Sequence, residues 1–186
     1  QRDKAEVELA KFHPDYHALR LMDMIIDNSV AGLINLDLVE KQKVRSAGCF
    51  PQNYNDCGVH FFYGIPKEGQ SLEEVEKLIL AQINRVKKGD FEDWVIPAVI
   101  TDFKKLEKEN RENNTKRVEL MRDTFLSFVD WETTNREIEV LEKLTKEDII
   151  RVANQYYGEN YVVGYRIDKQ HKLPSIEKPK IDPLEI

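Results

Sequence analysis

Two histidines, His13 and His17, lie four residues apart in the segment HPDYH, a spacing at which one helical face can present two zinc ligands. A zinc hydrolase also needs a third ligand and a carboxylate that takes a proton from the metal-bound water. No glutamate lies between the two histidines, and Pro14 favours a helix start that leaves His13 outside the helix. We therefore expect a helix-start histidine and a surface or half-packed histidine, not a metal pair.

The only two cysteines, Cys49 and Cys57, lie in no C-x-x-C spacing, so they indicate neither a metal motif nor a redox motif. Free, partly buried thiols are favoured, with a disulfide as the alternative, because two cysteines make a poor disulfide framework.

His60 lies in the segment VHFFYG, where its neighbours face the other side of a strand. It is predicted to be a cross-strand or core-edge residue. The sequence contains no G-x-S-x-G motif and no phosphate-binding glycine loop.

The composition limits the class of protein. The 186 residues include 28 Lys or Arg and 34 Asp or Glu, which gives a net charge of −6 and argues against a polybasic nucleic-acid binder. No stretch approaches the roughly 20 apolar residues that a membrane-spanning helix requires. We therefore expect no nucleic-acid partner and no membrane span. One domain is the default for this length.

Hydrophobic periodicity predicts the elements that must position these residues. In the first half of the chain we expect a strand at 5–12, helices at 14–28 and 31–43, and a hairpin with strands at 44–50 and 57–65. The turn signal PQNYND separates the two hairpin strands.

The second half of the chain has mostly helical periodicity. Predicted helix starts lie at Ser71, Asp90, Thr115, Thr134 and Thr145. Pro97 lies inside the helix predicted from Asp90 and should kink its first turns or delay its start. A closing strand follows at 161–167, and a Pro-containing linker occupies 169–186. This order favours an α+β fold, a two-layer α/β sandwich whose mostly antiparallel sheet is covered by helices on one face.

Three segments in this order carry a resemblance to a known family. They are HPDYHALRLMDMIIDNSVAGLINLDLVEKQKV, DCGVHFFYGIPKEG and LTKEDIIRVANQYYGENYVVGYRI. Together they resemble the insulinase (pitrilysin, mitochondrial processing peptidase) family of zinc metallopeptidases over residues 12–167. The resemblance implies related α/β domains that close over a substrate chamber, with the inverted zinc motif H-x-x-E-H in one domain only.

This chain contains no H-x-x-E-H, so it resembles the family's non-catalytic, or inactive, domain. The resemblance implies that residues 1–168 form this domain without its first elements, and that the chain alone is inactive. It implies no catalytic, cofactor-binding or metal-binding residue here, with zinc held by the catalytic domain of the same parent protein. The expected partners are that domain and unfolded peptides, held at a sheet edge, with a mild preference for basic ones. The alternative is a scaffold or interaction subunit of the same fold without peptidase activity.

Overall fold

The computed structural model describes residues 13–28, 31–54 and 57–168. The elements, in chain order, are α1 (Tyr16–Ile26), a π-helical turn (Asn35–Val39), β1 (Ser46–Asn53), β2 (Gly58–Ile65), α2 (Leu72–Lys88), α3 (Val95–Glu112), α4 (Asn114–Leu126), α5 (Trp131–Asn135), α6 (Glu137–Leu141) and α7 (Lys146–Tyr156). No helix among these combines the length and apolar character needed to cross a membrane.

The two strands form the predicted antiparallel hairpin. Ser46 lies opposite Ile65 at one end, and Asn53 lies opposite Gly58 at the other. Helix α1 packs on β1 and helix α2 packs on β2, so one face of the sheet is covered. The other face exposes its large apolar side chains, which are Phe50, Val59, Phe61, Tyr63 and Ile65. The prediction of an α+β fold with helices on one face of an antiparallel sheet is confirmed.

Helix α1 lies at the centre of the core. Its Leu21, Met22, Ile25 and Ile26 are completely buried, because apolar residues recur on more than one side of the helix. Helices α3, α6 and α7 pack around it, as does strand β1. A helix covered on so many sides fixes the positions of the elements that contact it.

Local sequence signals define the ends of α2 and α7. Ser71 and Glu74 form a complete capping box at the start of α2, and Gly89 ends the helix with a left-handed φ of 68°. Thr145 and Asp148 form a second capping box at the start of α7. These predicted boundaries are confirmed.

Three predicted helix starts differ from the structure. Helix α4 begins at Asn114, with Asn113 as its cap, and not at Thr115. Helix α3 begins at Val95, later than Asp90, which agrees with the delay predicted from Pro97. In this position Pro97 lies in the first turn, where a backbone N–H has no intrahelical partner. Thr134 lies inside α5, whose cap is Asp130, which accepts a hydrogen bond from the Thr133 backbone N–H at 2.8 Å. The predicted helix at 31–43 contains the π-helical turn, in which the Glu40 N–H bonds the Asn35 carbonyl five residues back.

The predicted closing strand at 161–167 is also wrong. Residues 161–168 form neither helix nor strand, and the sheet of the described chain contains β1 and β2 alone. A segment with high strand propensity becomes a strand only when another strand offers its backbone groups for pairing. The predicted strand at 5–12 and the predicted linker at 169–186 both lie outside the described residues.

Candidate functional site

A cleft of about 1430 Å³ lies beside strand β2. Strand β2 and one side of helix α2 form two of its walls, and the segment 158–168, which follows α7, forms another. We call this space the β2 cleft. It is bordered by a strand edge, on which an extended peptide can pair, and by a segment without regular secondary structure.

The hydrogen-bond register shows which backbone groups of β2 point toward its free edge. The Tyr54 N–H donates to the Cys57 carbonyl at 2.8 Å, so every second residue pair from this turn is a hydrogen-bonded pair. Residues 59, 61, 63 and 65 therefore direct their backbone groups toward β1. The backbone groups of Gly58, His60, Phe62 and Gly64 point the other way.

Pro51 fits this register, because it lies opposite His60 in a non-hydrogen-bonded pair where its missing N–H costs no ladder bond. In the described chain no strand pairs with the outer edge of β2. The edge therefore presents a row of N–H and C=O groups on which another extended chain can pair.

A glycine allows β2 to lie close to α2. A Cβ atom on Gly64 would lie 2.3 Å from Cγ1 of Val75 and 2.9 Å from Cδ1 of Ile79. Both distances are far inside van der Waals contact, so a side chain at this position would push the strand away from the helix. Gly64 therefore sets the distance between two walls of the cleft.

Tyr165 anchors the segment 161–168 on α2. Its hydroxyl donates a hydrogen bond to the Glu76 carboxylate, and this bond raises the pKa of Tyr165 to about 12, because it favours the neutral phenol. The segment is otherwise well exposed, with Val162 at 97%. One side-chain contact thus joins this wall of the cleft to the helix beneath it.

A polar cluster lies between the covered face of the hairpin and the helices. His60 Nε2 lies 2.8 Å from Oδ1 of Asp23, and the Cys49 thiol lies 3.2 Å from the same oxygen. The Tyr157 hydroxyl hydrogen-bonds Nδ1 of His60. Asp23 comes from α1, Cys49 from β1 and His60 from β2, so the cluster joins three elements.

Burial and a neighbouring carboxylate make Cys49 a poor nucleophile. Burial raises the pKa of the Cys49 thiol, and the neighbouring Asp23 carboxylate raises it further. Burial also raises the pKa of Asp27, whose Oδ2 accepts a hydrogen bond of 2.7 Å from the Cys49 N–H. Because the reactive form of cysteine is the thiolate, a thiol with a raised pKa is a poor nucleophile at neutral pH.

The two histidines of the HPDYH segment contact different partners. His13 precedes α1, as predicted, and its Nδ1 accepts a hydrogen bond from the Asp15 N–H at 3.1 Å. His17 lies on α1 with its Nδ1 3.6 Å from a carboxylate oxygen of Glu137. Within the described residues neither histidine belongs to a group of three ligand-type side chains. The prediction of a helix-start histidine and a half-packed histidine is consistent with these contacts.

The structure also tests the predictions for the two cysteines and for His60. Cys49 and Cys57 are both free thiols, as favoured over the disulfide. His60 points to the covered face of the hairpin, as the strand alternation predicts. The cluster it forms with Asp23, Cys49 and Tyr157 was not predicted, because no short spacing in the sequence joins these residues.

A second apolar surface lies on and after helix α4. Thr124 is the one residue of this helix that is buried, although the helix carries several large apolar side chains. The exposed members are Val118, Met121, Phe125, Leu126 and Phe128. We call them the α4 surface. Several large apolar side chains exposed on one short stretch of chain are typical of a protein interface.

Three comparisons with known proteins bear on this architecture. Residues 7–102 match the family described as the Peptidase M16 inactive domain. No curated protein matches the sequence. Among solved structures, the inactive peptidase domain of a predicted zinc protease from Bordetella parapertussis has a TM-score of 0.75 at 17% identity, over 88% of this chain and 90% of that one.

Two further structures share the fold. A predicted zinc protease from Bordetella pertussis Tohama I has a TM-score of 0.65 at 14% identity, over 78% of this chain and 81% of that one. A protease from Helicobacter pylori has a TM-score of 0.74 at 21% identity, over 81% of this chain. The matched region spans only 36% of the Helicobacter pylori chain. The family match and the shared fold confirm the resemblance to insulinase-type peptidases, and the chain belongs to the family of Peptidase M16 inactive domains.

Proposed function

We propose that this chain is the non-catalytic domain of an insulinase-like zinc metallopeptidase and forms part of the wall of its substrate chamber. The free edge of β2 beside the β2 cleft is the observation that carries this proposal. An extended peptide that pairs with the edge forms hydrogen bonds with the backbone N–H and C=O groups that otherwise bond to water. Only an unfolded segment can present its backbone in this way.

Backbone pairing makes the binding tolerant of peptide sequence. The charges around the cleft reinforce this point, because they are nearly balanced although the whole chain carries −6. The charged lining residues are Arg20, Arg45, Lys87 and Arg166 on the basic side and Glu76, Glu159 and Asp168 on the acidic side. The mild preference for basic peptides expected from the net charge therefore has no support at the cleft, and we propose binding without a charge preference.

The zinc chemistry belongs, in this proposal, to the catalytic domain of the same parent protein. This chain has no H-x-x-E-H motif. A catalytic zinc site holds the metal with three protein ligands and lowers the pKa of a bound water to about 7. The residues of the β2 cleft would hold and orient the peptide while the other domain supplies that water.

The α4 surface is the proposed contact with the zinc-bearing domain. Phe125 is 79% exposed and Phe128 is 86% exposed. Exposure of apolar side chains to water costs free energy, which burial against another domain would recover. The α4 surface is formed by residues outside the lining of the β2 cleft. One surface can therefore pack against the catalytic domain while the cleft stays open to peptide.

The separation of the α4 surface from the β2 cleft also favours a second candidate function. In this alternative the chain is a scaffold subunit of the same fold in a complex without peptidase activity. Such a subunit would use the α4 surface for assembly and would not need the cleft. The sequence of the parent protein distinguishes the two candidate functions. An H-x-x-E-H motif in another domain of the parent supports the peptidase, and a parent without this motif supports the scaffold.

A kinetic experiment on the intact parent tests the chamber-wall proposal. Tyr165→Ala removes the anchor that holds 161–168 on α2, so the Michaelis constant for an unfolded peptide should rise by at least about threefold with kcat nearly unchanged. Tyr54→Ala removes a comparably exposed tyrosine outside the cleft and should change neither constant. An unchanged Michaelis constant in the Tyr165→Ala variant would contradict the proposal.

A further inference from the structure

We propose that Asp23, Cys49 and His60 form a binding site for one divalent cation with the ligand preferences of zinc. This site is separate from the zinc chemistry assigned to another domain, and it replaces the expectation from sequence that this chain holds no metal. The proposal rests on residues that the fold brings together from α1, β1 and β2.

The positions of the three ligand atoms fit a small tetrahedral ion. Asp23, Cys49 and His60 each offer one ligand atom, and these three atoms lie within 4.8 Å of one another. Ligand bonds of about 2.0 to 2.3 Å in a tetrahedral zinc site place the ligand atoms about 3.3 to 3.6 Å apart. The two distances that Asp23 makes, 2.8 Å to His60 and 3.2 Å to Cys49, must therefore lengthen by only about 0.5 Å.

Tyr157 and Phe62 hold the imidazole in a suitable orientation. The Tyr157 hydroxyl bonds Nδ1 of His60, which leaves Nε2 to face Asp23 and Cys49. The ring of Phe62 packs against His60 with centroids 4.6 Å apart. Metal-binding histidines almost always use their second nitrogen in a hydrogen bond of this kind. In the metal-bound form Nδ1 would carry the proton and donate a hydrogen bond to the tyrosine oxygen.

The charges of the site also match a divalent ion. The Cys49 thiol would lose its proton to solvent when the Zn–S bond forms, and Asp23 would supply a carboxylate oxygen. One thiolate and one carboxylate balance the two positive charges of zinc, so the three ligands and the ion together would carry no net charge. Nitrogen, sulfur and oxygen together form the ligand set that zinc accepts.

Binding at this position would clamp α1 to both strands of the hairpin. Three protein ligands leave a fourth tetrahedral position for water or another small ligand. Because His60 also lines the β2 cleft, the clamp would fix the strand whose free edge borders that cleft. The bound ion would therefore link α1, β1 and β2.

Cobalt spectroscopy on the 186-residue chain tests the site directly. After treatment with a chelator, titration with Co²⁺ should produce a thiolate-to-cobalt charge-transfer band and saturate near one ion per chain. Addition of Zn²⁺ should displace the cobalt and raise the melting temperature. Cys49→Ser, Asp23→Asn and His60→Gln should each abolish or severely weaken the band.

Two control variants test whether the band arises from these three ligands. Cys57→Ser removes the other cysteine and should leave the cobalt spectrum unchanged. Tyr157→Phe keeps the three ligands and should weaken the affinity by about 10- to 100-fold, the usual cost of losing a supporting hydrogen bond. The wild-type spectrum tests the site even if a ligand variant fails to fold. Absence of a charge-transfer band at excess Co²⁺, or its persistence in a folded Cys49→Ser variant, would overturn the proposal without affecting the peptide-binding proposal.

Discussion

The backbone of Gly64 lies so close to Val75 that a Cβ atom on the glycine would be 2.3 Å from Cγ1 of the valine. This contact joins strand β2 to helix α2, the two walls of the cleft that the core supports. Gly64→Ala should destabilise the chain by about 1 to 3 kcal/mol, because the strand must move to relieve the overlap. Denaturant unfolding measures the change.

Gly164 provides the matched control for this substitution. A Cβ atom at Gly164 would meet no atom within 4 Å. Gly164→Ala should therefore change the free energy of unfolding by about 0.5 kcal/mol or less. Equal effects of the two substitutions would show that β2 and α2 are in looser contact than the Gly64–Val75 distance requires.

Helix α2 should tolerate a substitution on one face and not on the other. Ile79 is 9% exposed in the core, whereas Lys77 faces solvent. Ile79→Asp should destabilise the chain by several kcal/mol, roughly the cost of an unpaired buried charge, whereas Lys77→Ala should cost about 0.5 kcal/mol or less. Similar melting temperatures for the two variants would contradict this assignment of the buried face.

Asp15 should contribute to stability in a pH-dependent way. Its carboxylate accepts hydrogen bonds from Arg151 at 2.6 Å and from the Tyr156 hydroxyl at 2.7 Å. The bond from Arg151 is the main reason that the pKa of Asp15 lies below its usual value. Because folding lowers this pKa, the stabilisation is complete above the unfolded value of about 3.9 and is lost as the pH falls through the folded pKa.

Asp15→Asn tests this contribution. Half of the Arg151 side chain is exposed, so screening by water should limit the loss to about 1 kcal/mol at pH 7. The difference in unfolding free energy between variant and wild type should shrink when the pH is lowered below about 4. A difference that stays constant from about pH 7 to about pH 2 would exclude a pH-dependent role for the carboxylate.

The α4 surface should behave differently in the isolated chain and in the parent protein. Phe125 is 79% exposed, so Phe125→Asp should change the stability of the isolated chain by about 0.5 kcal/mol or less. In the parent the same substitution should weaken the packing of the two domains, measured as faster hydrogen exchange along α4. Identical exchange in the substituted and unsubstituted parent would remove this surface as the interdomain contact.

Local signals in the sequence predicted the elements whose determinants are close together. The capping boxes at Ser71 and Thr145 each depend on residues three positions apart, and the hairpin depends on strand formers on either side of one turn. The segment 161–167 has the composition of a strand but no strand structure. Its composition could not reveal this, because strand formation depends on a pairing partner distant in the chain.

The polar cluster could not be predicted for a related reason. Asp23 lies 26 residues from Cys49 and 37 residues from His60, and Tyr157 lies 97 residues from His60. Only the packing of α1, the hairpin and the end of α7 brings these side chains together. The strand alternation correctly placed His60 on the covered face, but it gave no indication of the residues that meet it there.

The most direct test of the proposed function is a titration of the 186-residue chain with an unstructured peptide, monitored by backbone amide shifts. We predict weak binding with the largest shifts at His60, Phe62 and Gly64, whose N–H groups point toward the free edge of β2. Basic and neutral peptides should bind with similar affinity, because the lining charges are nearly balanced. Absence of shifts in β2 at millimolar peptide concentration would contradict peptide binding at this edge and leave only the scaffold function.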